Sequence, residues 1–171
     1  REMIPRARGF GMPVVAWSRT LTEERAAGLG IRRAASPEEV ATLADVVSVH
    51  VALDATTRGL LGASFFAAMK DGATFVNTSR GEIVDEPALV AAIQAKGLRA
   101  GLDVFATEPV DPGNPLLTLD NVVVSPHTTW YTADTMRRYL LEAVDNCRRL
   151  HEGQDLVNVV NGRQDVGRIH R

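Results

Sequence analysis

Cysteine is almost absent from this chain: Cys147 is the only one in 171 residues. A single thiol excludes an intrachain disulfide framework and any cysteine-based metal cluster. It fits a reducing, cytoplasmic setting. An excess of charge of one sign is also lacking. The formal net charge of −2 offers no field for a polyanion such as nucleic acid. Arg32-Arg33 and Arg148-Arg149 have acids within a few residues and read as solvated helix and loop faces. No apolar run approaches the length of a membrane span, and no signal-peptide pattern is visible. There is no internal repeat and no low-complexity tract. What remains is 45% apolar and 23% charged, the composition of an ordinary globular domain with a real core. The expectation is a cytoplasmic protein with neither a membrane nor a nucleic-acid partner.

Order along the chain comes from punctuation and periodicity. Arg1 to Gly11 reads as the end of a helix, with Gly9 and Gly11 as stop signals. Pro13 to Trp17 reads as a buried strand that runs into Ser18-Arg19-Thr20. A short helix begins at Thr22 and is closed by Gly28 and Gly30, and Ser36-Pro37-Glu38-Glu39 is a helix start. The Val-rich run from Asp45 to Val51 predicts a buried strand. Ser64 is placed to cap the next helix, and Ala73 to Val76 predicts another strand. A helix from Glu86 to Lys96 ends at Gly97, strands follow over 100–105 and 121–125, and Pro109, Pro112 and Pro115 mark the loop between them. From 132 to 152 an amphipathic helix carries Met136, Tyr139, Leu140, Ala143, Val144, Cys147 and Leu150 on one stripe. Strands alternating with helices predict an α/β fold with a doubly wound parallel sheet.

Three polar features stand where strands end. Arg80 follows one apolar run, Asp103 and Glu108 belong to the next strand and its loop, and His127 follows Val122-Val123-Val124. Open parallel sheets bind ligands at that edge. Arg can fork onto a carboxylate. His exchanges protons near neutral pH, and a neighbouring Glu would orient it and favour its charged form. The trio suits reduction of a 2-keto acid, His127 supplying the proton and a nicotinamide the hydride. Each residue also has a plain reading: a turn-capping surface Arg80, a loop His127 bonded to backbone, a surface Glu108 directed by Pro109, an Asp103 making a turn bond.

The wording of three segments is more specific than their spacing. Asn77-Thr-Ser-Arg-Gly-Glu-Ile-Val-Asp-Glu-Pro-Ala-Leu89, Ala100-Gly-Leu-Asp-Val-Phe-Ala-Thr-Glu-Pro109 and Asn121-Val-Val-Val-Ser-Pro-His127 resemble three signatures of the D-isomer-specific 2-hydroxyacid dehydrogenases. With the stretches around Arg8 to Val15 and Val46 to Thr57, the resemblance runs to about Asn161. It implies a Rossmann-like domain for NAD or NADP and a small 2-hydroxy or 2-keto acid substrate of the glyoxylate or hydroxypyruvate type. Arg80 would hold the substrate, His127 would be the acid/base, and Glu108 would pair with it. Asp103 would sit near the nicotinamide carboxamide, and Val51, Ala52, Thr57, Thr78 and Ser79 would line the cofactor groove. Ser18 and Arg19 fall where the family meets the adenine ribose. An acid there favours NAD; with Ser18 in its place and Arg19 beside it, the reading leans to NADP or dual use. Glu108 speaks against the similar formate-oxidising branch, which carries Gln.

The chain also departs from the family pattern. No Gly-x-Gly-x-x-Gly turn is present: Gly9 and Gly11 follow the first helix and Gly28 and Gly30 follow another. Ala52 stands where Pro is frequent, and Thr128-Thr129-Trp130 replaces the usual Ile-Gly-aromatic. The expectation is a carboxyl-terminal fragment of a longer, homodimeric enzyme. Residues 1–152 would be a dinucleotide-binding domain without its first strand, and 153–171 a tail, loose beyond Val160. The strands near Val15 and Val47 would each lack one neighbour. Two other readings stand beside the enzyme: a non-catalytic, corepressor-like nucleotide-binding module, and an inactive remnant.

Overall fold

In a computed structural model of the chain, residues 1–160 are described, and the tail expected beyond Val160 lies outside them. They divide into two compact units, Arg1–His127 and a second beginning at Thr128.

The first unit is built on parallel strands. β1 (Val15–Ala16) pairs with β2 (Arg32–Arg33). Separately, β3 (Val46–Val49), β4 (Thr74–Asn77), β5 (Arg99–Leu102) and β6 (Val122–Val124) form a four-stranded sheet in that order. Among the described residues β1 and β3 are each paired on one side only. β2 was not expected, because Arg32-Arg33 carries no apolar signal. Its strand character comes from pairing: Arg32 N–H donates to Val14 O at 3.0 Å and Ala34 N–H to Ala16 O at 2.9 Å.

α1 (Met3–Gly9) precedes β1, and helices connect the strands that follow: α2 (Glu23–Leu29), α3 (Pro37–Leu43), α4 (Ala63–Ala68) and α5 (Glu86–Lys96). Their ends are written locally. Ser36 Oγ accepts the N–H of Glu39 at 3.1 Å, while Glu39 reaches back to the N–H of Ala35 at 2.7 Å. These contacts satisfy donors that the first turn of a helix leaves open. Asp85 caps α5 through the N–H of Ala88 at 3.1 Å, and Gly97 closes it in the left-handed region at φ 64°. Ser64 does not cap α4. Gly62 holds that position, and the Ser64 hydroxyl donates to Glu38 of α3 at 3.3 Å.

The core lies on one face of the four-stranded sheet. Phe65, Phe66 and Phe75 meet edge to face, with centroids 5.3–6.3 Å apart. Ile83, Leu89, Ile93, Leu98 and Leu116 close around them. The opposite face is more open: Val46 is 51% and Val123 75% exposed. The Val run is therefore half-buried rather than buried, with Val47 and Val49 inward and Val46 outward. β1 is likewise half-buried. A strand with one neighbour and one covered face keeps only alternate side chains from water.

The second unit holds α6 (Ala133–His151), capped by Thr132 and ended near Glu152. Its apolar stripe is present in sequence, but no residue of the helix is buried. Trp130 packs edge-on against Tyr131 and Tyr139. Asp145 takes Arg149 at 2.6 Å, and Asn146 holds Val157 through both its amide groups at 3.0 and 3.2 Å. Among the described residues no helix is long and apolar enough to cross a membrane, and no three metal-ligating side chains gather.

Candidate active site

The carboxyl ends of β4, β5 and β6 lead into three turns that meet. After β4, buried Asn77 folds its own turn: its Oδ1 accepts the N–H of Ser79 and its Nδ2 donates to Arg80 O, both at 3.0 Å. The Ser79 hydroxyl donates to Val49 O at 3.0 Å and moors the turn to β3. Arg80 is presented from this turn as an exposed side chain. Gly81 then lies against the backbone of Phe105 and Ala106, where an added Cβ would collide. That close approach sets the loop after β4 directly on the loop after β5.

The loop after β5 is organised around two carboxylates. Glu86, in the first turn of α5, accepts the N–H of Ala106 at 2.5 Å and the Asn114 amide at 3.1 Å. Glu108 accepts the N–H of Phe105 through Oε1 at 3.0 Å, and its Oε2 stands 2.8 Å from Nδ1 of His127. The imidazole lowers the carboxyl pKa of Glu108, aided by the Phe105 N–H and the charge of Arg80 and opposed by partial burial. After β6 the Ser125 hydroxyl donates to buried Asp103 at 2.6 Å, and His127 follows with φ 54°. A left-handed non-glycine residue is uncommon and marks positions where side-chain direction outweighs backbone preference.

Arg80, Glu108 and His127 thus line one pocket of about 420 Å³, together with Glu82 and Thr107. The arrangement offers a guanidinium for an anion and an imidazole bound to carboxylate on one side, the elements of acid–base work on a bound carbonyl acid.

The other expected residues occupy the neighbouring strand ends. Ser18 is half-buried and Arg19 exposed after β1. Val51 is half-buried and Ala52 exposed after β3. Thr57 is buried, and its hydroxyl donates to Ala52 O at 2.7 Å while accepting the N–H of Asp54 at 2.8 Å. It shapes its own loop. Thr78 is exposed beside Ser79. These loops would border the adenosine and nicotinamide ends of a dinucleotide. Among the described residues there is no glycine-rich turn of the kind that cradles a pyrophosphate.

Gly81, Glu86, Asn77 and Asp54 shape the site in ways that the sequence pattern alone does not indicate. Gly81 and Asn77 lie within the first recognised segment, but their roles depend on what packs against them. Glu86 reads as an ordinary first-turn acid on α5, and its long reach to Ala106 has no local signal.

Parallel strands with helical crossovers and polar side chains gathered at their carboxyl ends define a dinucleotide-binding α/β domain. The chain belongs to the family described as D-isomer specific 2-hydroxyacid dehydrogenase, NAD binding domain, whose model matches residues 1–129. Members of this family are NAD(P)-dependent oxidoreductases, and the domain is the one that takes the cofactor. The chain is 38% identical over 161 residues to D-3-phosphoglycerate dehydrogenase of Archaeoglobus fulgidus, covering 94% of this chain and 30% of that protein. It is 40% identical over 154 residues to glyoxylate/hydroxypyruvate reductase B of Salmonella newport, covering 90% and 47%. A solved structure from Thermus thermophilus superposes with a TM-score of 0.82 at 41% identity, covering 91% of this chain and 48% of the other. The chain therefore spans between about a third and a half of the length of these relatives.

Proposed function

We propose that this chain carries the cofactor half and the acid–base centre of an NAD(P)-dependent enzyme that reduces small 2-keto acids to D-2-hydroxy acids, of the glyoxylate or hydroxypyruvate type. The observation that supports this most is the 2.8 Å contact between His127 Nδ1 and Glu108 in the pocket that Arg80 also lines. Arg80 binds the substrate carboxylate and draws electron density from the adjacent carbonyl. Glu108 holds the imidazole through Nδ1, so proton exchange falls to Nε2, the other ring nitrogen. His127 gives its proton to the carbonyl oxygen during reduction and takes it back in oxidation. When bound, the reduced nicotinamide supplies hydride to the carbonyl carbon, so one proton and one hydride account for the two hydrogens gained. Asp103 stiffens the turn from behind by holding Ser125. Ser18-Arg19, with a serine where an NAD-selective site carries its acid, supports acceptance of NADPH as well as NADH.

The test is nicotinamide oxidation with glyoxylate, hydroxypyruvate and pyruvate, with either cofactor. Turnover that His127→Asn abolishes supports the reading. Tight nucleotide binding with no turnover on any 2-keto acid would replace it with the non-catalytic module.

A further inference from the structure

Arg19 and Asp54 come from loops that leave different strands, β1 and β3, and they meet 35 positions apart in sequence. Arg19 Nη2 lies 2.8 Å from Asp54 Oδ2, and Nη1 donates to the hydroxyl of Thr56. The pair joins the loop of the two-stranded sheet to that of the four-stranded sheet, at the strand ends assigned above to the adenosine half of a dinucleotide.

Resting on that reading, we propose that Asp54 sets the nucleotide preference of this groove through Arg19. Its carboxylate occupies the guanidinium that a ribose 2′-phosphate would take, and so acts as a built-in competitor of that phosphate. Asp54 is then a positioning residue, not a catalytic one.

The two partners differ in freedom. Asp54 is anchored in its own turn: Oδ1 accepts the N–H of Thr56 at 2.8 Å, the Thr56 hydroxyl at 2.6 Å and the N–H of Thr57 at 3.1 Å. The two Thr56 bonds, with Arg19, hold its carboxyl far below the usual carboxylate range, so the charge persists throughout the physiological span. Arg19 is a long side chain, 55% exposed, and outside this pair and Thr56 it is free to turn. A phosphate monoester carries about −1.5 to −2 charge and outcompetes a single carboxylate for a guanidinium. Asp54 does not swing aside when this happens. It remains a fixed rival for the guanidinium, so the phosphate must displace it from Arg19, and that competition weakens phosphate binding.

The probes are 2′,5′-ADP and 5′-AMP, which share the adenosine and differ at the 2′ position, titrated calorimetrically against the whole 171-residue chain. Asp54→Asn keeps the Oδ1 acceptor for the turn and removes the charge. It is expected to raise 2′,5′-ADP affinity about two- to fivefold, the range of an exposed ion pair, and to leave 5′-AMP unchanged. Arg19→Gln is expected to erase the advantage of 2′,5′-ADP. The double variant is expected to match Arg19→Gln alone, which shows that the effect passes through Arg19.

Weaker 5′-AMP binding in Asp54→Asn would overturn the proposal by making Asp54 an acceptor for the ribose hydroxyls. So would a gain that survives in the double variant, an unchanged 2′,5′-ADP affinity, or a wild-type chain that binds neither nucleotide. None of these readouts involves a keto acid. Failure of 2-keto acid turnover with the discrimination intact would remove only the catalytic reading.

Discussion

Gly81 lies so close to the carbonyl of Phe105 that no side chain fits between them. This contact presses the turn bearing Arg80 onto the loop bearing Glu108. Gly81→Ala is expected to force the two loops apart, at a cost of about 1–3 kcal/mol in stability. It should also weaken substrate binding by displacing Arg80. Gly101→Ala is the control, since its added methyl meets only the Val76 side chain at 3.8 Å. Denaturant midpoints of the two variants check the point, and equal midpoints would show that the loops yield freely.

His127 and Glu108 separate in kinetics. His127→Asn is expected to lower 2-keto acid turnover roughly 10²–10⁴-fold with nucleotide binding retained. Arg80→Lys keeps the charge but loses the two-pronged geometry, and is expected to raise KM more than it lowers kcat. Steady-state rates with glyoxylate decide both. A His127→Asn variant with wild-type rates would reassign the proton donor.

The lowered pKa of Glu108 gives an acid-range prediction. Its ordinary value is 4.5, and in the folded chain it lies lower because His127, the Phe105 N–H and Arg80 favour the carboxylate. A depressed carboxyl stabilises the fold fully above the unfolded value, and the contribution fades as pH falls through the folded value. Since Glu108 is 39% exposed, the contribution is modest. Glu108→Gln is therefore expected to lose less Tm than the wild type between about pH 5 and about pH 3. Parallel melting curves over that span would exclude a role for this ionisation.

Phe75 is fully buried between Phe65 and Phe66, with centroids 6.3 and 5.3 Å away. Phe75→Ala is expected to cost about 3–5 kcal/mol, because the removed ring leaves a cavity beneath the strand that leads to Arg80. Chemical denaturation measures this directly. A cost under about 1 kcal/mol would mean that the neighbouring rings collapse into the space.

Much of the fold was legible locally, because caps and stops act within four residues. Ser36, Gly30 and Gly97 delimit helices where their types predict. Ser64 misled for a reason the chain cannot show locally: Glu38, in α3, takes its hydroxyl. The two-residue strand at Arg32-Arg33 had no signal, since its conformation comes from backbone pairing with β1 and not from its side chains. The Val run is only half-buried: an apolar pattern states which faces are apolar, not which are covered.

The alternation of strands and helices, the family, and the residue types at the strand ends can all be read from the chain alone, since they are written in local pattern and wording. Which of them meet is a matter of folding in three dimensions. Glu108 finds His127 across 19 positions, Gly81 finds Phe105 across 24, and Arg19 finds Asp54 across 35. Such contacts depend on where parallel strands deliver their loops. The order and register of a sheet are set by long-range hydrogen bonds, which no short stretch of chain encodes.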